Sequence, residues 1–143
     1  MPMTLIQQFS AASTEDARVL PDLNSPRAIG RLVRLFYARL LEDPLMAPVF
    51  LEVAGVDLEE HLPRIEAYWR KMLLGEQSGY DRNMIRQHQR VHAIRPLEPP
   101  YFERWGSHFR AVVTENFAGP GADRALRLTE RILFNLERFL NRG

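Results

Sequence analysis

Four side chains in this sequence could do chemistry together: Tyr37, His61, His88 and Trp105. His88 lies in Asn83-Met84-Ile85-Arg86-Gln87-His88-Gln89-Arg90-Val91-His92, where Ile85, His88 and Val91 or His92 recur at helical spacing. His61 is followed at the same kind of spacing by Ile65 and Trp69, and Trp105 sits in the middle of a further apolar run. A histidine with apolar neighbours on its own helix face, opposed by aromatics from other helices, can hold a flat apolar cofactor through one axial bond. On this reading His88 is the iron ligand of a haem: neutral imidazole is the usual proximal ligand when a gas must bind on the opposite side. Tyr37, His61 and Trp105 are the candidate distal groups, because phenol, imidazole and indole can each donate to a ligand carrying partial negative charge.

Each of these residues has a plainer interpretation. A lone helical histidine is more often surface or core than ligand. Tyr37 and Trp105 at helical spacing are more often core than pocket, and His61 falls near an exposed helix start. His88 and His92 stand four apart, as a zinc pair would, but no third ligand of suitable spacing accompanies them. Phe36, Phe50, Ile65, Trp69, Phe102 and Phe109 would be apolar walls, or simply core. Arg64 could meet a haem propionate, as could Tyr80, or both could be solvated.

These residues need helices to position them, and the chain supplies helices. Ser25-Pro26 is a good start, offering a capping hydroxyl and a proline where its missing N–H costs nothing. From there Ile29, Leu32, Val33, Phe36, Tyr37, Leu40 and Leu41 form an apolar stripe that Asp43-Pro44 stops. Residues 44 to 50 are apolar but hold two prolines, so they make a tight corner or a short turn of helix rather than a strand. The next helix carries Leu58, Leu62, Ile65, Trp69, Met72 and Leu73. Pro63 predicts that its regular part begins near His61 or kinks there. Gly75 to Gly79 is a loop, and the His88 helix ends before Pro96. A long helix follows with Tyr101, Phe102, Trp105, Phe109, Val112, Val113 and Phe117, closed by Gly119-Pro120-Gly121. The last helix runs from about Asp123, with Leu126, Ile132, Leu133, Leu136, Phe139 and Leu140 inward. No alternating pattern appears, so the fold class is all-α with five or six helices. Residues 1–24 read as an irregular N-terminal arm and 25–143 as one domain, in keeping with a length of 143 residues.

Composition removes several classes of function. With 19 basic against 18 acidic residues there is no broad electrostatic footprint for nucleic acid. Without cysteine there are no disulfides, thiolates, iron–sulfur clusters or thiolate-ligated haem. No signal peptide and no apolar run of about 18 residues are evident, so the expectation is a cytoplasmic protein outside the membrane.

The order of features is more specific than any one of them. Phe36-Tyr37 is followed by Asp43-Pro44-Leu45, Pro48-Val49-Phe50, His61-Leu62-Pro63-Arg64-Ile65 and Tyr68-Trp69. Then come His88-Gln89-Arg90-Val91, Pro96-Leu97 and Phe102-Glu103-Arg104-Trp105. Over roughly residues 28 to 142 this resembles the group III truncated haemoglobins, bacterial globins with a two-over-two helical sandwich around haem. The resemblance implies haem b with His88 as proximal ligand. It implies Tyr37 on the second globin helix, His61 at the distal-histidine position with Ile65 one turn on, Trp105 beside the ligand, and Phe50 packing on the haem edge. It further implies binding of O2, NO or CO, with NO dioxygenase- or peroxidase-like chemistry drawing on an external reductase. Many family members have tryptophan three residues before the distal histidine, where this chain has Leu58. The contrasting expectation is a cofactor-free helical interaction module in which the aromatics are only core.

Overall fold

A computed structural model describes residues 19–50, 58–76, 84–94 and 96–140. Tyr80, residues 1–18 and the side chains of Ile85 and Phe139, all invoked above, lie outside the described residues. Five helices are present among those described: α1 (Pro26–Leu41), α2 (Leu58–Leu74), α3 (Met84–Ile94), α4 (Pro99–Asn116) and α5 (Pro120–Leu140). No described residue is in a strand, and the fold is all-α as expected.

The start of α1 is as the sequence dictates. Ser25 accepts from the Ala28 N–H at 3.1 Å and Pro26 takes the first helical position. The stripe of Ile29, Leu32, Val33, Phe36, Tyr37 and Leu40 is buried throughout. The α1 helix packs on α2 and α4, and α5 packs on α4, α3 and α2, which gives two helical layers. Most of the core lies between α1, α2 and α4, centred on Phe36, Trp69 and Phe109. Burying a side chain of the Leu, Ile or Phe class contributes roughly 1.5–3 kcal/mol, so this cluster sets the stability of the α1–α2–α4 unit. A smaller cluster joins Val49, Leu97, Phe102, Leu136 and Leu140, with Val91 of α3 packed against it.

Two helix starts differ from expectation. The α2 helix begins at Leu58, ahead of His61, and runs through Pro63. Proline there removes only the bond to the carbonyl of Glu59, in the exposed first turn, where that carbonyl can turn to water. The same helix ends on Gly75 at φ 75°, with Gly75 N–H on the Lys71 carbonyl and Glu76 N–H reaching the Arg70 carbonyl, the left-handed ending that glycine favours.

The α5 helix begins at Pro120, not Asp123, so the Gly-Pro-Gly run is a helix start as much as a stop. The reason lies in residues 19–24. Asp22 accepts from the N–H groups of Gly121 at 2.9 Å and Ala122 at 2.8 Å, capping α5 from the far end of the sequence. Burial alone would raise the Asp22 carboxyl, but the N–H groups of Gly121, Ala122 and Leu23 outweigh it and bring its pKa below the usual range. Leu23 is 1% exposed and belongs to the larger core cluster. A Cβ at Gly121 would stand 2.5 Å from the Leu23 carbonyl oxygen, and Gly119 holds φ 130° with Asp22 against it. Only glycine lets the two segments approach this closely.

Candidate functional site

Two of the predicted distal residues, Tyr37 and His61, meet directly. Tyr37, on the inner face of α1, is 5% exposed. Its hydroxyl lies 3.1 Å from His61 Nε2 on α2. Its ring meets Phe50 edge-on at 5.5 Å, Phe36 at 5.4 Å and the His61 imidazole at 5.4 Å. Burial pushes the Tyr37 hydroxyl well above the ordinary phenol range, so it stays protonated. The pair therefore has two arrangements. Either Tyr37 donates to an unprotonated Nε2, or Nε2–H donates to the phenol oxygen and leaves the phenol proton for a third group.

Trp105 joins this group through Phe36. The two rings are 4.9 Å apart and nearly perpendicular, and Trp105 stacks on Phe109 at 5.5 Å. Phe109 in turn contacts Phe36 at 5.2 Å and stacks on Trp69 at 5.1 Å. Trp69 is 4% exposed and lies within the larger core cluster, whereas Phe50, Ile65 and Trp105 are only partly buried at its border. Phe102 belongs to the other cluster, with Val91, one turn after His88. His88 is half-buried on α3. Arg64 is exposed and pairs with Glu60 one turn back at 2.7 Å. His92 accepts the Leu97 N–H at 2.8 Å through Nδ1, which holds the turn after α3. No group of three or more metal-ligating side chains occurs among the described residues.

The sequence reading passed over a buried carboxylate next to this site. Asp43, which stops α1 and opens the Asp43-Pro44-Leu45 motif, has a side chain 3% exposed. It accepts from Arg104 Nε at 3.0 Å and Arg104 Nη2 at 2.9 Å, from the Leu45 N–H at 2.8 Å, and from His108 Nε2 at 2.7 Å. Arg39 Nε donates to His108 Nδ1 at 3.2 Å, so the imidazole proton sits on Nε2 and points at Asp43. Glu115 sits behind Arg39 at 3.4 Å. The available signal was the spacing of Arg104 and His108, four apart on one helix face, opposite an acid at a corner.

Burial alone would raise the Asp43 carboxyl, but His108, the Leu45 N–H and Arg104 outweigh it and bring the pKa down to about 2 from 3.8. A depressed carboxyl stabilises the fold above its unfolded pKa and loses that contribution as pH falls through its folded one. The linkage amounts to roughly 2 kcal/mol, present above about pH 4 and gone below about pH 2. Urea unfolding of Asp43→Asn across pH 2–6 is expected to show a lower midpoint at pH 6 and a shallower acid limb than the parent. Parallel pH curves for the two proteins would refute the assignment.

Known proteins now bear on this geometry. No family model matches the chain. It is 30% identical over 81 residues to a group 3 truncated hemoglobin of Campylobacter jejuni, a stretch covering 54% of this chain and 61% of that relative. The matched stretch is thus under two thirds of the relative's length. The crystal structure of the group III truncated hemoglobin from Campylobacter jejuni superposes with a TM-score of 0.73 at 23% identity, covering 83% of this chain and 94% of that one. That likeness shows the fold. No helix among the described residues is long and apolar enough to cross a membrane.

Proposed function

We propose that this relative of the group III truncated haemoglobins, which has their fold, holds haem b through His88 and binds a diatomic ligand, O2, NO or CO, beside Tyr37, His61 and Trp105. The observation that carries the reading is the Tyr37–His61 hydrogen bond inside an aromatic shell. It is a polar pair, with one member buried, in a cluster that needs no polar group for packing.

The donor set suits haem. His88 supplies a half-buried imidazole one turn before Val91, which packs on the smaller cluster. Phe50, Ile65 and Trp105 border the larger cluster, Val91 borders the smaller, and Tyr101 and Ile132 touch both. These half-exposed apolar surfaces are of the kind a flat apolar group would cover, with Trp69 and Phe102 behind them. In the proposal Arg64, released from Glu60, and Tyr80 serve the propionates. When bound, haem supplies an iron with one position open to a small ligand.

The chain's own residues then set the affinity. His61 Nε2–H donates to the Tyr37 oxygen, which turns the phenol proton toward the ligand. The Trp105 indole N–H is a second donor. Donors of this kind slow ligand release, which suits NO dioxygenation or peroxide reduction with an external reductase better than bulk oxygen transport.

The test is an absorption spectrum of the purified protein, ferric and then reduced with and without CO. A Soret band that moves on CO addition is the expected result. No Soret band after haem is added back would overturn the proposal and leave a cofactor-free helical module.

A further inference from the structure

Asp43 occupies an unusual place in the fold. Its backbone carbonyl accepts from the Met46 N–H at 3.1 Å and the Ala47 N–H at 2.9 Å, and its own Oδ1 accepts from Leu45. It therefore starts the turn that leads to Phe50, whose ring meets Tyr37 edge-on. The same carboxylate grips Arg104 and His108, one helical turn apart on α4. Trp105 and Phe109 form the adjacent row on that helix, a rotation of about 100° away. Fixing the row of Arg104 and His108 against the corner fixes the rotation of α4, and with it the direction in which Trp105 meets Phe36.

We infer that Asp43 is a positioning residue for the ligand pocket: one carboxylate holds the Phe50–Tyr37 wall and the Trp105 wall in a single register. The inference rests on the proposed function and adds to it a residue that touches neither haem nor ligand. A carboxylate used only for stability could have stayed at the surface. This one is buried, carries four hydrogen bonds, and ties two segments that each carry a pocket aromatic.

The experiment compares the haem-loaded parent with Asp43→Asn, Arg104→Gln and Ala125→Gly. Ala125 is buried in α5, away from this network, and serves as the control for a general loss of stability. Two quantities are read: the C–O stretching band of the CO complex and the O2 dissociation rate. Asp43→Asn and Arg104→Gln are expected to split or shift the band and to raise the rate about fivefold, the effect of roughly one net hydrogen bond. Ala125→Gly, at a comparable loss of Tm, leaves both at the parent's values. If the two network variants lose Tm yet keep the parent's band and rate, the inference is overturned. If the parent takes up no haem, the functional proposal fails separately, and the Trp105 indole N–H resonance of the haem-free protein decides. A shift in Asp43→Asn but not in Ala125→Gly supports positioning, and no shift refutes it.

Discussion

Replacing His88 with alanine is expected to strip the protein of haem. The purified variant should lack a Soret band at haem concentrations that saturate the parent. In the proposed complex the bond from His88 and the apolar pocket would stabilise one another, so removing the bond would leave a flat group held only by burial. The loss should also appear in stability. A cofactor present at 1,000 times its dissociation constant adds about 4 kcal/mol to the folded state, and the variant forfeits most of that. For a domain of this size that is on the order of 10 °C in Tm. The haem-free forms of parent and variant should melt close together, because His88 is only half-buried. Free imidazole at millimolar concentration should restore part of the band by taking the vacated axial place. A His88→Ala protein with the parent's Soret intensity and Tm would show that the ligand lies elsewhere or that no haem is held.

The second large effect is expected at Tyr37. In Tyr37→Phe the O2 dissociation rate should rise on the order of 10- to 100-fold, since a hydrogen bond to a charged partner is worth roughly 1.5–3 kcal/mol. CO, which gathers less negative charge, should respond much less. The fold should tolerate the change. The ring keeps its edge contacts with Phe36 and Phe50, and His61, half-buried, can turn its Nε2 to water. Because burial keeps the phenol protonated, the parent's off-rate should show no alkaline step from Tyr37 over the working range. Stopped-flow displacement of O2 by CO measures both rates. An unchanged O2 off-rate would move the donor role from Tyr37 to His61 or Trp105.

Much of this fold was legible in the sequence because its signals are local. Ser25-Pro26 caps α1 by bonds within four residues, and the stripe from Ile29 to Leu40 records a single helix face. The order of Phe36-Tyr37, His61, His88 and Trp105 indicated the truncated-globin fold without any geometry. What stayed hidden depends on partners distant in sequence. Asp43 looks like a helix stop until Arg104 and His108 are brought to it across 61 and 65 residues. The start of α5 was misplaced because its cap is Asp22, and no reading of Gly119-Pro120-Gly121 alone can supply that acceptor. Pro63 was weighted as an interior proline, although its lost bond falls in an exposed first turn. Within the site, the spacing suggested His61 and Tyr37 as separate donors. That they bond to each other, so that the tautomer of His61 decides whether the phenol proton is committed to the imidazole, follows only from the 3.1 Å contact.

The bond between Asp22 and the first turn of α5 also bears on how the chain comes together during synthesis. Its acceptor and donors are 99 and 100 residues apart, so the segment that caps the last helix is made early and waits for it. Closing a loop of that length costs on the order of 4 kcal/mol of chain entropy, which two hydrogen bonds do not offset alone. The burial of Leu23 must arrive with them. The α1–α2 contact can form from the nascent chain as it emerges. The capping of α5 comes only after the segment through Ala122 has been made.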